Sequence, residues 1–336
     1  AQMTEVGWAI ISTGRHPDAR MAPAINKARN SRLVAVVSRD LERAKAFAAR
    51  HGARRAYDSL EAALADPEVQ AVYIASPNYL HAEQTLAAVR AGKHVLCEKP
   101  MALTVEDGRR MVEAARAAGV KLGVAFHCRH HPAHRRAREV VASGGLGEVV
   151  YATGCWSALA LGPRPDWWSR PEQVGGGAIM GTGVHVLDLL RFVLGREVVE
   201  VFAYQDSPPI EVTDSILLKF DDGSTAHVVC SRKVAYPNND LNIYGMGGRV
   251  RSMGTISTDL QGSLEVVTAA GATTEAFEAE DPPRALYVGL VEDFARAVLE
   301  GGEPAATGED GLKNIEITLA VFESSRTGRA VPVGRA

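Results

Sequence analysis

Residues 91–100 read AGKHVLCEKP, and the fold turns on this stretch. His94-Val95-Leu96-Cys97 is a short apolar run that follows Gly92 and stops at a proline, which predicts a buried parallel strand. In doubly wound sheets, ligands lie beyond the carboxyl ends of the strands. Glu98 and Lys99 fall at that end, and Pro100 disfavours a helical conformation at Lys99. An amine in a partly desolvated pocket loses proton affinity and can exchange a proton near neutral pH. Lys99 is therefore either an acid/base group or half of a strand-end ion pair with its neighbour.

The sequence on either side of this block repeats the pattern. Val6 to Ile11, Leu33 to Val37, Ala71 to Ala75 and Lys121 to Phe126 are predicted strands. Helices are predicted over Asp18 to Asn30, Asp40 to His51 (closed by Gly52), His81 to Ala91 and Val105 to Ala118 (closed by Gly119), with a short helix capped by Ser59. Alternating strands and helices imply a parallel sheet with right-handed crossovers. Residues 3–125 are expected to form a Rossmann-type, dinucleotide-binding α/β domain.

The loop after the first strand reads Ser12-Thr13-Gly14-Arg15-His16-Pro17, where a dinucleotide fingerprint has three small residues. Gly14 stands at the position of close backbone approach, Ser12 is small enough for the turn, and Pro17 suits a helix start. Ser12, Thr13, Gly14, Arg15 and His16 are therefore the expected pyrophosphate loop. The second strand ends in Ser38 and Arg39, with Arg43 one turn on. A small hydroxyl plus arginine accommodates a 2′-phosphate, which favours NADP over NAD. Asp40 is either a ribose ligand or a helix N-cap.

Composition narrows the class further. The 336 residues are 46% hydrophobic and 23% charged, with a formal net charge of −3, as in an ordinary globular protein of two domains. That charge argues against nucleic acid as a partner and favours a small molecule. Four scattered cysteines without CxxC spacing suggest neither zinc nor a disulfide framework. With no leader-like stretch and no apolar run near eighteen residues, the expectation is a cytoplasmic protein without a membrane.

Several blocks in order resemble the Gfo/Idh/MocA family of sugar and cyclitol oxidoreductases across nearly the whole chain. They are Ala75-Ser76-Pro77-Asn78-Tyr79-Leu80-His81, the AGKHVLCEKP block, Gly175-Gly176-Gly177, and Val184-His185 leading into Leu187-Asp188-Leu189-Leu190-Arg191. The resemblance implies that Lys99 is the catalytic acid/base and that Glu98 lies beside the nicotinamide ribose. It further implies that Ser76, Pro77 and Asn78 contact the cofactor, joined by His81 unless that residue packs locally at a helix start. Arg129, Trp168 and Tyr287 complete the set expected round the cofactor and the substrate. Tyr287 is equally readable as a core residue.

Members of the family carry an aspartate four residues before the histidine of the second motif, and here that position is Gly181. His185 is expected to assist Lys99, its unperturbed pKa lying near neutrality; its alternative is a helix-face histidine satisfied by the backbone. Asp188 is an orienting carboxylate or, more simply, a cap or ion-pair partner. In Trp167-Trp168-Ser169-Arg170, Arg170 could replace the displaced charge, or Trp168 could wall a sugar ring. The cluster His127, His130, His131 and His134 lacks an accompanying acid or HExxH, so no metal is expected.

From residue 126 to 336 the sequence predicts an α+β domain with a large open, mostly antiparallel sheet. Its strands are placed at Glu148 to Tyr151, Glu200 to Tyr204, Asp214 to Phe220, Ser224 to Ser231 and Asn242 to Tyr244, with Asp222-Gly223 as a hairpin. Helices over Tyr287 to Glu300 and Gly311 to Ser325 are expected to pack back on the first domain. The resemblance implies a homo-oligomer built through the C-terminal sheet. The expected function is an NADP-dependent oxidoreductase acting on a carbohydrate carbonyl or secondary alcohol. The alternatives are a redox-elimination enzyme of lyase or glycosidase type with no net cofactor turnover, and a non-catalytic NADP sensor.

Overall fold

A computed structural model describes residues 4–278 and 285–334. The chain divides into two compact units, residues 1–127 with 284–312, and residues 128–283 with 313–336.

The first unit is built on six parallel strands: β1 (Val6–Ile11), β2 (Ser31–Val37), β3 (Arg55–Tyr57), β4 (Ala71–Ile74), β5 (His94–Cys97) and β6 (Leu122–Val124). Their order, β3-β2-β1-β4-β5-β6, is that of a dinucleotide-binding fold. β1 and β4 are buried at every residue because helices cover both faces of a parallel sheet. The helical segments are α1 (Ala22–Lys27), α2 (Leu41–His51), α3 (Leu60–Leu64), α4 (His81–Arg90) and α5 (Val105–Ala118). Their ends follow the sequence. Asp40, Ser59 and Thr104 accept N-cap hydrogen bonds at α2, α3 and α5, and Gly52 and Gly119 close α2 and α5 in the left-handed region. α1 is shorter than the predicted helix because a π turn over Pro17–Met21 precedes it.

The second unit begins with α6 (Pro132–Ala142), β7 (Val149–Ser157), a one-turn helix α7 (Pro171–Val174) and the buried α8 (Val184–Leu194). Strands β8 (Val198–Gln205), β9 (Thr213–Phe220), β10 (Thr225–Ser231), β11 (Leu241–Gly245), β12 (Gly248–Met253), β13 (Gly262–Thr268) and β14 (Gly271–Phe277) follow. After α9 (Ala285–Glu300) and α10 (Gly308–Thr327), β15 (Val331–Pro332) closes a nine-stranded sheet ordered β14-β13-β12-β11-β7-β10-β9-β8-β15. The sheet is antiparallel except where β10 runs parallel to β7. The sequence reading missed β12 to β15. β14 escaped because six of its seven residues are exposed, which leaves no apolar alternation to read.

α9 contributes Tyr287, Leu290, Val291, Phe294 and Ala295 to the core under β1 and β2. α10 divides: beyond Leu312 its Ile317, Ala320 and Val321 belong to the core of the second unit, not to the nucleotide-binding half. Pro171–Leu194 reaches a hydropathy of 1.4 over an eighteen-residue window, with Gly, Thr, His, Asp and Arg interrupting the apolar residues, and 89% of that window is buried. Within it, α8 is a core helix of this unit, buried at every residue.

The three glycines before α8 are required for separate reasons. Gly175 caps α7 at φ 83°, a Cβ on Gly176 would stand 2.5 Å from Phe322, and one on Gly177 would strike the Glu211 carbonyl oxygen at 1.8 Å.

Candidate active site

In the first unit the predicted residues gather at the carboxyl edge of the sheet. Ser12 follows β1 with φ 129°, a conformation that favours glycine, and its Oγ accepts from the Gly14 N–H at 3.2 Å. A Cβ built on Gly14 would meet only Ser12 Oγ at 3.5 Å and Pro17 Cδ at 4.0 Å, so the face of the loop is open. That is the room a pyrophosphate needs beside backbone N–H groups at a helix start, and the residues present fit the group. Thr13 is half-buried and Arg15 exposed.

At the end of β2, Ser38 is half-buried and Arg39 and Arg43 are exposed. The Asp40 carboxylate is engaged as the cap of α2, accepting from Glu42 N at 3.0 Å and Arg43 N at 3.2 Å. Of the two roles open to Asp40, the cap is the one observed.

Glu98 is the hub of this edge. Parallel pairing of Ile74 with Cys97 carries it just past β4, where its N–H donates to the Ile74 carbonyl at 2.9 Å. Tyr73 donates its hydroxyl to Glu98 Oε1 at 2.6 Å, His16 Nε2 lies 3.3 Å from the same oxygen, and the Lys99 N–H reaches Oε2 at 3.2 Å. Burial alone would raise this carboxyl. His16, the Lys99 charge and Tyr73 outweigh it and bring it down to about 2, so Glu98 is a fixed anion. Tyr73 itself is pushed well above its ordinary value, by burial and then by that anion. Tyr287, fully buried in α9, stacks on His127 at 4.7 Å and meets His16 edge-on at 5.3 Å. It is a core residue that also braces the hub.

His81 packs locally at the start of α4, one of the two roles open to it. It is 1% exposed, with Nδ1 2.7 Å from the Pro100 carbonyl oxygen and Nε2 2.8 Å from that of Ser76. Both nitrogens are thus engaged by backbone, so His81 clasps the loop after β4 to the loop after β5. Ser76 hydrogen-bonds Gln84, Asn78 is buried, and Pro77 is half-buried between them.

In the second unit, a π turn over Ile179–Gly183 leads into α8 and sets His185 in the interior, 4% exposed, with its ring 5.1 Å from Trp156 of β7. Thr182 Oγ1 donates to the Trp156 carbonyl at 3.0 Å and ties the turn to the strand. At Gly181, where the resemblance implies a carboxylate, a Cβ would meet only Trp168 Cη2, at 3.9 Å. Trp168 therefore borders the vacated position, while Arg170 is exposed.

Arg129 is held in the interior of the second unit. It is 4% exposed and forms a two-pronged ion pair with Asp188, Nε to Oδ2 at 2.7 Å and Nη2 to Oδ1 at 2.6 Å, beneath the Phe192 ring. A buried guanidinium and carboxylate seek each other, and that pairing decides the position of both. His131 and His134 are also committed locally, His131 to Ala133 N and Gln261 O, His134 to Cys128 O and Thr255 Oγ1.

The sequence reading missed Tyr73, Trp156 and Arg164. Tyr73 had a usable signal: it is the one polar-tipped residue in the run Ala71-Val72-Tyr73-Ile74, and a buried tyrosine hydroxyl requires a partner. Trp156 and Arg164 carry no local signal.

A parallel sheet in dinucleotide order, an open glycine turn and a Glu-Lys pair at the end of β5 define a nicotinamide-dependent oxidoreductase of the Rossmann class. Residues 6–126 match the description "Oxidoreductase family, NAD-binding Rossmann fold", and residues 134–251 match the C-terminal domain of the same family. The chain belongs to the Gfo/Idh/MocA family. It is 36% identical over 333 residues to 1,5-anhydro-D-fructose reductase of Ensifer adhaerens, covering 97% of this chain and 98% of that one. It is 34% identical over 331 residues to D-xylose 1-dehydrogenase (NADP(+)) 2 of Haloferax volcanii, covering 96% and 98%. Among solved structures it resembles aldose-aldose oxidoreductase from Caulobacter crescentus complexed with glycerol, with a TM-score of 0.88, 29% identity, and 98% and 100% of the two chains covered.

Proposed function

We propose that this enzyme is an NADP-dependent oxidoreductase acting on a carbonyl or secondary alcohol of a sugar, sugar derivative or cyclitol, with Lys99 as the acid/base and His185 assisting. The observation that carries the reading is the Glu98 hub. A carboxylate held anionic by Tyr73, His16 and Lys99 fixes the backbone on which the lysine sits. When bound, the nicotinamide would supply the hydride in reduction and accept it in oxidation. Lys99 then gives its proton to the carbonyl oxygen in reduction, or takes one from the hydroxyl in oxidation. NADP is supported by the exposed Arg39 and Arg43 beside Ser38, with the Asp40 carboxylate engaged as a cap. The NADP(+) in the name of the Haloferax relative agrees, and the names of both relatives support a sugar-type substrate.

Replacing Lys99 by alanine tests this reading. Cofactor affinity stays near that of the parent while turnover falls about a hundredfold or more. Undiminished turnover would overturn the role of Lys99. For the cofactor, Arg39→Ala weakens NADP and leaves NAD unchanged; equal losses would overturn the preference.

The name of the Caulobacter relative favours a second reading, in which one sugar is oxidised and another reduced with no net change in cofactor. Substrate consumption with constant NADPH absorbance would decide for it. We also place the enzyme in the cytoplasm, as a homo-oligomer formed through the large sheet. Supporting this are the exposed side chains Tyr151, Tyr204 and Leu217 on β7, β8 and β9, and four unbridged cysteines. Light scattering of Leu217→Lys tests the interface.

A further inference from the structure

Arg164 lies between β7 and the helical turn Asp166–Ser169, half-buried, with its Cζ 4.4 Å from the centroid of the Trp168 ring. Its Nη1 is enclosed and has no hydrogen-bond partner among the described residues. A second guanidinium stands close by: Arg232 donates Nε and Nη2 to the Ala160 carbonyl oxygen at 3.2 and 2.8 Å. Burial, and then the like charge of Arg232, draw Arg164 down to about 10. The acid that bears on Arg232 is Glu211, whose oxygens already accept from Gly177 N and Ile179 N.

A half-buried cation with one enclosed, unpartnered nitrogen and a like charge beside it is favoured by an anion that completes it. A guanidinium fork suits an oxyanion geometrically and exceeds a neutral hydroxyl as a donor. Trp168 links the cation to the reactive segment, since its ring carries Arg164 on its face while its edge borders Gly181, four residues before His185. Stacking on the ring also fixes the guanidinium in one orientation, which lowers the entropy lost on binding.

We propose that Arg164, seconded by Arg232, is a specificity-determining residue that binds an oxyanion on the substrate, so that the sugar carries a carboxylate or a phosphate. The proposal rests on the oxidoreductase reading and narrows its substrate to an anionic sugar.

The test uses the NADP-saturated enzyme and three probes, D-glucose, D-glucuronate and D-glucose 6-phosphate, with binding by calorimetry and turnover by NADPH absorbance. At least one anionic probe binds about tenfold or more tighter than glucose, and Arg164→Gln erases that advantage by roughly 10- to 100-fold while glucose binding holds. Arg164→Lys, which keeps the charge and loses the fork, falls between. Which anionic probe gains identifies carboxylate or phosphate. Anionic probes that bind no better than glucose, that do not bind at all, or that bind equally to Arg164→Gln overturn the proposal. Arg164-dependent binding of an anion without turnover of any probe would leave the anion site standing and count against the redox reading. Turnover of glucose with no anion preference would do the reverse.

Discussion

Tyr73 donates a 2.6 Å hydrogen bond to Glu98, across parallel strands, from a position with no exposure at all. Hydroxyl and carboxylate are thereby committed to each other beside Lys99. Glu98 is held at about 2, against an ordinary 4.5. A depressed carboxyl contributes stability that is complete above its unfolded value and lost as pH falls through its folded value. Tyr73→Phe therefore costs about 1.5–3 kcal/mol near neutrality, the worth of a hydrogen bond to a charged group. The deficit shrinks as pH falls from the ordinary carboxylate range toward about 2, where Glu98 protonates in the folded protein and the hydrogen bond is no longer to a charge. Thermal melts across that range check it, and a deficit independent of pH would contradict the linkage.

Arg129 and Asp188 form a buried pair, with side chains 5% and 1% exposed. Removing one member strands the other charge in the interior. Arg129→Met is expected to destabilise the protein by about 3–5 kcal/mol in urea titrations, and Arg129→Met with Asp188→Leu to recover much of that loss. Additive losses would mean that the pair is not the source of the effect.

Gly181 has room for a side chain, its virtual Cβ meeting only Trp168 Cη2 at 3.9 Å. Gly181→Asp should fold with a change in stability under about 1 kcal/mol. If the carboxylate of the family pattern works here, turnover rises by up to about a hundredfold. Unchanged turnover would show that the chemistry of this chain no longer uses that group.

Asp214 and Glu211 are both fully buried. Burial first, and the charge of Glu211 second, raise Asp214 to about 8 from an ordinary 3.8. Folding thus retains a proton on Asp214. That contribution is full below about pH 4 and is lost as pH rises through 8, with a slope of at most about 1.4 kcal/mol per unit. Asp214→Asn cannot titrate and should lose less stability than the parent between roughly pH 5 and 9. Parallel melting curves for the two proteins would refute this.

The sequence by itself determined the elements whose rules are local. Asp40 at the start of α2, Gly52 and Gly119 at the ends of α2 and α5, and the apolar runs of β1, β4 and β5 announce a parallel sheet. It also placed Glu98 and Lys99 at the carboxyl edge, since they directly follow β5 in a sheet whose alternation with helices makes it parallel. What it could not decide was partnership between distant groups. That Arg129 meets Asp188, 59 residues on, that His81 lies between two carbonyls, and that Arg164 Nη1 has no partner among the described residues depend on which elements pack together. Only the tertiary structure settles those choices, because burial sets the cost of an unmet charge or hydrogen bond, and burial is a property of the packed chain.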